Sequence, residues 1–314
     1  MNKEAKIYVA GHRGLVGSAI LRQLKKEGFA NLITRTHQEL DLIRQADVEK
    51  FFAEEKPEYV FLAAARVGGI HANSTYKADF IYQNTQVQNN VIHQSYVHGV
   101  KKLLFLGSNC IYPKHCPQPM KEAYLLTGEL EQTNDAYAIA KIAGIKMCQS
   151  YNQQYGTNFI SVMPTNLYGP HDNFDLKNSH VLPAMLRKFH EAKENGHTPV
   201  ELWGSGTPRR EFVYSEDMAE ACLHVMGKIN AGDAPGDLYN IGSGSDLTIK
   251  ELALKIQATV GHHGEIHWDA SQPEGTLRKC QDIGRLAELG WNVKTDLNEG
   301  LQLAYDWFCQ NKQD

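Results

Sequence analysis

The sequence has no marked excess of charge and no long apolar run. Its 32 lysines and arginines face 36 aspartates and glutamates, which gives a formal net charge of −4. A chain with so small a net charge gives no sign of the basic surface that binds nucleic acid or an acidic membrane. No run approaches the ~18 apolar residues of a membrane span, and the first residues do not have the basic and apolar regions of a signal peptide. We therefore expect no nucleic-acid or membrane partner.

Cysteine is also sparse. The six cysteines are scattered, and none forms a Cys-x-x-Cys pair or another tight metal-binding spacing. We therefore expect no metal and a reduced, cytoplasmic protein with free thiols. Hydrophobic residues make up 42% of the chain and charged residues 22%, close to the soluble globular average. This composition excludes a disordered tail, a collagen-like fibre and a disulfide scaffold.

The first half of the chain alternates short apolar runs with longer helical patterns. Strands are predicted over 7–10, 32–34, 59–65, 102–107 and 159–163, and helices over 18–27, 46–54, 80–98 and 135–155. Such alternation predicts an α/β fold with a doubly wound parallel sheet. Segment 164–178 is predicted to be loop, 237–241 a late strand, and 180–195, 217–228, 249–260 and 297–310 helices.

The regular alternation of strands and helices stops after residue 164, and this change predicts two lobes. A dinucleotide-binding domain is predicted over 1–165 plus about 212–245. A smaller C-terminal lobe, which would bind the substrate, is predicted over 166–211 plus 246–314.

A glycine-rich turn lies between the first predicted strand and helix. It reads Gly11, His12, Arg13, Gly14, Leu15, Val16 and Gly17, with the spacing GxxGxxG rather than GxGxxG. Glycines permit a tight turn and a close approach of the backbone to a pyrophosphate, which the helix N-terminus then faces. An ordinary glycine turn is the alternative, but the position after a buried strand near the N-terminus favours a dinucleotide site.

The end of the second predicted strand indicates which dinucleotide binds. NAD sites usually place an acid there to hold the ribose 2′-hydroxyl, whereas residues 34–37 contain none. Arg13 and Arg35 instead suit a 2′-phosphate, so NADP(H) is favoured over NAD(H). The alternative is that Arg35 is simply a solvated strand end. Asp41 and Leu42 follow where an adenine contact is expected.

Tyr137 and Lys141 lie four residues apart in a predicted helix, so they share one face. An ammonium beside a phenol lowers the phenol pKa toward working pH. The phenol can then exchange a proton with a carbonyl oxygen while hydride moves at the carbon. Ser108, near the end of an earlier predicted strand, would hold the same oxygen. A surface Tyr–Lys pair is common, but this combination and order favour a reductase.

Together these motifs resemble the extended short-chain dehydrogenase/reductases that act on nucleotide sugars. The resemblance covers nearly the whole chain, through 64–70, 79–84, 107–113, 138–145, 163–173 and 203–212. It is closest to members that epimerise GDP-4-keto-6-deoxy-D-mannose at C3 and C5 and then reduce C4 with NADPH. It implies that activity, and a homodimer that forms through the helices 80–98 and 135–155.

Cys110 and His180 are candidates for the epimerase step, which needs a base on one face of the sugar and an acid on the other. In an extended segment Cys110 would share a face with Ser108, and His180 begins a predicted helix. By themselves, a buried apolar thiol and a helix-start histidine are the simpler interpretations. The resemblance assigns them the proton-transfer roles. Asn109 and Cys110 replace the Asp-Glu pair of related dehydratases, which argues against elimination of water.

The candidate substrate contacts lie mainly in the second lobe. Trp203 precedes a glycine turn and a pair of arginines, and guanidinium forks suit a diphosphate. The resemblance places Arg210 on the diphosphate of GDP, with Lys188 and Lys279 as further cations; a solvated surface position is the alternative for each lysine. It also implies that Asn166 contacts substrate. The additional cofactor contacts that it implies are Lys141, Pro164, Asn166, Leu167 and His180.

Three departures from the family pattern leave the diphosphate and 2′-phosphate contacts open, but not the class of reaction. Lys188 stands where the family often has arginine, Asn109 where it has serine, and His37 where it has another basic residue. A related GDP-4-keto sugar, dideoxy or heptose, is one alternative substrate. A non-catalytic NADP-sensing protein is a second alternative, which the intact Ser108, Tyr137 and Lys141 argue against.

Overall fold

A central sheet of parallel strands organises the chain, in a computed structural model that describes residues 1–272 and 275–311. In chain order the strands are β1 (Ile7–Ala10), β2 (Leu32–Ile33), β3 (Tyr59–Leu62), β4 (Lys102–Leu106), β5 (Phe159–Pro164), β6 (Asn166–Tyr168), β7 (Val200–Trp203), β8 (Arg209–Arg210), β9 (Phe212–Tyr214), β10 (Leu238–Ile241), β11 (Leu247–Thr248), β12 (Ile266–Asp269) and β13 (Arg278–Lys279). The central sheet has six strands in the order β10-β5-β4-β3-β1-β2, with all neighbours parallel.

Helices cover both faces of this sheet. In chain order they are α1 (Leu15–Lys26), α2 (Gln45–Glu55), α3 (Ile70–Thr75), α4 (Lys77–Val97), α5 (Asp135–Tyr155), α6 (Val181–Glu194), α7 (Ser215–Lys228), α8 (Ile249–Val260), α9 (Gly284–Glu288) and α10 (Leu297–Asn311). From β1, Ile7 and Val9 enter the core shared with α1 and α7, whereas Tyr8 and Ala10 enter the core shared with α2, α4 and α5. The predicted doubly wound sheet is thereby confirmed.

Burial holds the carboxyl ends of the strands in place. All five residues of β4 are buried, as expected for a parallel strand covered on both faces. Each large apolar side chain buried in this way contributes about 1.5–3 kcal/mol to stability. The loops that follow β1, β3, β4 and β5 therefore start from a rigid edge.

A third core lies outside the central sheet. It is formed by apolar faces of α6, α8 and α10 and by residues of β6, β7 and β9. Small sheets accompany it: β7 pairs with β12, β6 pairs with β9, and β8 lies between β11 and β13.

Several sequence-based boundaries were wrong. The strand predicted over 59–65 ends at Leu62, and the helix predicted from residue 18 begins at Leu15. Segment 164–178 is not all loop, because β6 pairs there with β9. The short strands β7, β8, β11, β12 and β13 were not predicted, since two to four residues carry little periodic signal.

The proposed two-lobe division stays a prediction. In its second part, residues 273–274 and 312–314 lie outside the described residues. Leu286 and Trp291, which were assigned to the second lobe, pack into the core beneath α1 and α7. Within the described ranges, no helix has both the length and the apolar character to cross a membrane.

Candidate active site

A cleft of about 700 Å³ opens where the loops after β1, β3, β4 and β5 meet. The chain runs from β1 to β2 on one side and to β3 on the other, and such a switch point is the usual ligand site of a parallel sheet. The predicted site residues that line it are Gly11, Gly14, Leu15, Val16, Gly17, Ser108, Cys110, Tyr137, Lys141, Pro164, Asn166, Leu167, His180, Lys188, Trp203, Arg210 and Lys279. The described wall of this cleft does not include the remaining predicted site residues, which are His12, Arg13, Arg35, Asp41 and Leu42.

The glycine turn packs too closely to accept side chains. Gly11 has a φ of +83°, and an added Cβ there would lie 2.8 Å from the Ala64 nitrogen. At Gly17 an added Cβ would lie 2.1 Å from the Gly11 carbonyl oxygen. Helix α1 then begins at Leu15 with no side chain capping its first N–H groups. Uncapped N–H groups at a helix start bind anions, so this turn fits a dinucleotide pyrophosphate.

The arginine at the end of β2 is held by its neighbours. The Arg35 guanidinium binds the Glu55 carboxylate, donates to the Thr34 carbonyl over 2.8 Å, and lies 5.6 Å from the Phe51 ring centroid. These contacts orient a cation beside the loop that follows the strand. Arg35 is therefore paired with Glu55, and its contact with a 2′-phosphate stays a prediction.

Sequence reasoning missed an acid close to this arginine. Hydrogen bonds from Thr36, with smaller effects of Arg35 and Arg13, lower the pKa of Glu39. The Thr36 N–H donates to Glu39 Oε2 over 2.7 Å. Residues 34–37 contain no acid, but a turn brings the carboxylate of Glu39, two residues further along the chain, back toward the arginines. The spacing Thr-x-x-Glu was the available signal.

Ser108 lies two residues after the end of β4 and caps a short 3₁₀ turn, Asn109–Ile111. Its Oγ accepts a hydrogen bond from the Cys110 N–H over 3.4 Å. The segment is therefore not extended, and the prediction that placed Ser108 and Cys110 on one face by alternation was wrong in its geometry. The turn still brings both into the cleft, and the Ser108 hydroxyl is close enough to lower the pKa values of the Cys110 thiol and the Tyr137 phenol.

Tyr137 and Lys141 both lie on α5, but the ammonium does not bind the phenol. Lys141 Nζ donates to the Leu106 carbonyl over 2.7 Å and lies 5.8 Å from the Tyr137 ring centroid. Burial raises the pKa of Tyr137 above its ordinary value and lowers the pKa of Lys141 to about 8. The expected lowering of the phenol pKa is thus wrong for this structure, because desolvation dominates and the ammonium is bonded to the Leu106 carbonyl instead of the phenol.

Cys110 and His180 approach the cleft from different elements. Cys110 belongs to the turn after β4, and His180 is the N-cap residue of α6. Burial raises the pKa of the Cys110 thiol, and Lys279 is the largest opposing influence. Desolvation by the surrounding cleft lowers the pKa of His180, although part of its side chain is exposed to solvent. Without ligand, a protonated thiol and a neutral imidazole are therefore favoured.

Cations and an indole line the other part of the cleft. Arg210 and Lys279 are register partners on β8 and β13, and burial lowers the pKa of Lys279. Lys188 Nζ donates to the Glu201 carbonyl over 2.8 Å and lies 5.9 Å from the ring centroid of Trp203, which is 44% exposed. Three cations converging beside an aromatic ring can bind a nucleoside diphosphate.

Polar atoms that sequence reasoning missed also line the cleft. They are buried and have no hydrogen-bond partner among residues 1–272 and 275–311: Asn109 Nδ2, Asn134 Oδ1, Asp172 Oδ2, Ser179 Oγ and Thr276 Oγ1. Burial raises the pKa of Asp172 to about 7. Buried polar groups in proteins are normally hydrogen-bonded, so these atoms suit a ligand that carries several hydroxyl groups. Their positions give no local sequence signal.

The described part of the chain contains no cluster of three or more histidine, cysteine or acidic side chains that could hold a metal ion. All six cysteines are free thiols.

Comparisons with known proteins agree with this geometry. The model of the "NAD dependent epimerase/dehydratase family" matches residues 7–242. GDP-L-fucose synthase 1 of Arabidopsis thaliana is 59% identical over 310 residues, which covers 99% of this chain and 95% of the relative. GDP-L-fucose synthase of Escherichia coli (strain K12) is 53% identical over 317 residues, which covers 99% and 98%.

A solved structure of a related enzyme has the same fold as this chain. The GDP-mannoheptose C4 reductase of Campylobacter jejuni, with NADP bound, is 44% identical and has a TM-score of 0.92, with 98% of this chain and 99% of that one covered. The resemblance inferred from the motifs is confirmed. The chain therefore belongs to the NAD dependent epimerase/dehydratase family and, within it, to the family of the GDP-L-fucose synthases.

Proposed function

We propose that this protein converts GDP-4-keto-6-deoxy-D-mannose to GDP-L-fucose, by epimerisation at C3 and C5 followed by reduction at C4 with NADPH. One observation carries the proposal: a single cleft contains Ser108, Tyr137 and Lys141 together with Cys110 and His180. The first three suit reduction of a carbonyl, and the last two suit proton exchange beside it. Relatives named GDP-L-fucose synthase, 53–59% identical, support this assignment.

The epimerisation uses the acidity of the C–H bonds next to the 4-keto group. The Cys110 thiol first passes its proton through solvent to the neutral His180, which gives a thiolate and an imidazolium. The thiolate then removes a proton from the carbon, and the electron pair of that C–H bond moves onto the carbonyl oxygen to form an enolate. Ser108 and Tyr137 hydrogen-bond that oxygen and stabilise its charge. His180 delivers a proton to the opposite face, and exchange with solvent then resets both groups. Burial raises the pKa of the Cys110 thiol, and the positive charge of Lys279 assists the reaction because it lowers that pKa and so favours the thiolate.

The reduction uses the same oxygen. NADPH supplies the hydride that is added at C4. Tyr137 donates its hydroxyl proton to the oxygen while Ser108 holds it. Because burial raises the pKa of Tyr137, the phenol is protonated at neutral pH and ready to act as the acid. Lys141 is held by the Leu106 carbonyl at the place where a nicotinamide ribose would lie.

The glycine turn and the two arginines bind the cofactor in this proposal. The uncapped start of α1 would face the pyrophosphate. The turn that would hold it consists of Gly11, His12, Arg13, Gly14, Leu15, Val16 and Gly17. Arg13 and Arg35 bind the 2′-phosphate, and Asp41 and Leu42 lie toward adenine. Lys141, Pro164, Asn166, Leu167 and His180 complete the nicotinamide end.

The GDP moiety binds across the second part of the cleft. Arg210, Lys279 and Lys188 neutralise the diphosphate, and Trp203 packs against the nucleoside. Asn166 lines the cleft and donates to the Glu211 carbonyl over 2.8 Å, so its side-chain oxygen is the group that could accept from a sugar hydroxyl.

A heptose is the second candidate substrate, because the GDP-mannoheptose C4 reductase of Campylobacter jejuni has the same fold at 44% identity. The pair Cys110 and His180 favours a substrate that is epimerised before it is reduced. The clustered Ser108, Tyr137 and Lys141 argue against a non-catalytic NADP-sensing protein.

We also propose a homodimer and a cytoplasmic location. Tyr82 and Val97 on α4 and Tyr155 on α5 are exposed apolar side chains on two helices that pack against each other. A second copy would cover them. Six free thiols, one of them at the proposed catalytic position, suit a reducing compartment.

The test is turnover of purified protein with GDP-4-keto-6-deoxy-D-mannose and NADPH, with the product identified by NMR. We expect GDP-L-fucose. A GDP-4-keto-heptose is the competing substrate, and a kcat/KM for it at least as high would overturn the assignment. Binding of NADPH with turnover of neither substrate would favour the sensing protein.

A further inference from the structure

The loop of residues 66–70, which follows β3, is held by two buried asparagines. Asn84 accepts from the Arg66 N–H over 2.9 Å and donates to the Arg66 carbonyl over 3.0 Å. Asn73 Nδ2 donates to the carbonyls of Gly68 and Gly69 over 2.6 and 3.0 Å. Their burial makes these hydrogen bonds costly to lose. The loop is therefore fixed relative to α3 and α4.

This loop touches the segment that leads into α6. The Gly69 N–H donates to the Asn178 carbonyl over 2.9 Å. A Cβ added at Gly69 would lie 2.3 Å from the Ser179 carbonyl oxygen and 3.2 Å from its carbon. The φ of Gly69 is −69°, which any residue adopts. Glycine is thus required here by close contact, and not by its own backbone conformation.

The contacted residue immediately precedes His180. Helix α6 itself is anchored, because Leu182 and Leu186 are buried in the third core. A displacement of Ser179 therefore cannot shift the whole helix. It must instead change the backbone of the residues just before the helix, which include His180. Ser179 also donates to the Asp175 carbonyl over 3.1 Å, which ties the segment to the loop before it.

We propose that Gly69 is a positioning residue for His180: its missing side chain lets the loop after β3 hold the start of α6 at the distance that epimerisation needs. This inference rests on the proposed function, in which His180 delivers a proton. Of the reducing groups, Ser108 lies in the turn after β4, and Tyr137 and Lys141 lie on α5. A defect at Gly69 should therefore separate the two reactions.

The test compares Gly69→Ala with Gly227→Ala. Gly227 lies in α7, where an added Cβ has no heavy atom within 4 Å, so this control adds the same methyl group without a contact. Deuterium incorporation at C3 and C5 is followed by NMR in D₂O without NADPH, and the product is then identified with NADPH. In Gly69→Ala, formation of the epimerised product should fall about 10²-fold, as for a group displaced by ~1 Å. Reduction should be retained, so a 6-deoxy product that keeps the D configuration should gain share.

Three outcomes would overturn the inference, and a fourth would refute the proposed function on which it rests. Epimerisation in Gly69→Ala at the rate of Gly227→Ala overturns the inference, and so does an equal loss of epimerisation and reduction. If Gly69→Ala does not fold, Asn73→Ala carries the test, since it loosens the loop without adding a group. It should lower epimerisation about 10-fold with reduction retained, and an unchanged product ratio overturns the inference. Wild-type protein that exchanges neither proton would instead refute the proposed function.

Discussion

Lys279 on β13 lies beside Arg210 on β8 as its register partner, and both line the cleft that contains the Cys110 thiol. Of the charges that act on this thiol, Lys279 lowers the pKa of Cys110 most. Lys279→Met should therefore move alkylation of Cys110 to higher pH. The measurement is iodoacetamide labelling of the Cys110 peptide against pH, by mass spectrometry. Lys188→Met is the matched control, because Lys188 is bonded to the Glu201 carbonyl; equal profiles for the two variants would contradict the prediction.

NADPH should be preferred over NADH, and Arg35→Asp should weaken NADPH selectively. Loss of charge-assisted hydrogen bonds to a phosphate costs about 1.5–3 kcal/mol, or roughly 10- to 100-fold in kcat/KM. Glu39→Gln should act in the opposite direction by a few-fold, since its carboxylate interacts with both Arg13 and Arg35. Steady-state kinetics with both cofactors check this. Similar kcat/KM values for NADPH and NADH in the wild type would refute the assignment.

Tyr137→Phe should remove the proton donor and keep the ring, which packs edge-on against Phe80. Substrate and cofactor affinity should persist, while hydride transfer falls by at least about 10²-fold, the usual contribution of a positioned acid. Single-turnover kinetics monitored by NADPH absorbance measure the step. A rate within a few-fold of the wild type would mean that Tyr137 is not the acid.

Cys110→Ala should bind GDP-sugar and cofactor but fail to exchange the C3 and C5 protons with D₂O. Slow reduction of the unepimerised ketone, giving a 6-deoxy sugar of D configuration, should remain because the reducing groups are intact. His180→Asn should retain some exchange and alter the stereochemical outcome. Exchange is followed by NMR without NADPH, so that reduction does not trap the product. Wild-type exchange in Cys110→Ala would make the thiol a packing residue.

Lys141 should make folding stability depend on alkaline pH. Burial lowers the pKa of Lys141 from 10.5 in the unfolded chain to about 8 in the folded protein. Between these values the unfolded state binds more protons, so this group makes the folded protein more stable as pH rises from about 8 to about 10.5. Below pH 8 its full desolvation cost is present. The free energy of unfolding of the wild type minus that of Lys141→Met should therefore increase over this range, as measured by urea denaturation. A constant difference would contradict the shift.

The amino-acid sequence was enough to predict the features that depend only on residues close together in the chain. The apolar runs of β1, β4 and β5 predicted a parallel sheet, because a strand buried on both faces has no polar alternation. The glycine turn was recognisable from spacing and position. Tyr137 and Lys141 share a helix face through the helical repeat alone. These features need only local geometry.

Tertiary structure decided what brings distant segments together. The turn at Cys110, the contact of Gly69 with Ser179 and the register of Arg210 with Lys279 depend on packing between elements far apart in the chain. The return of Glu39 toward the arginines and the high pKa of Tyr137 also follow from folding, since a pKa depends on burial and on charges in space. The residue types were readable in advance, but their distances and solvation exist only once the sheet has formed.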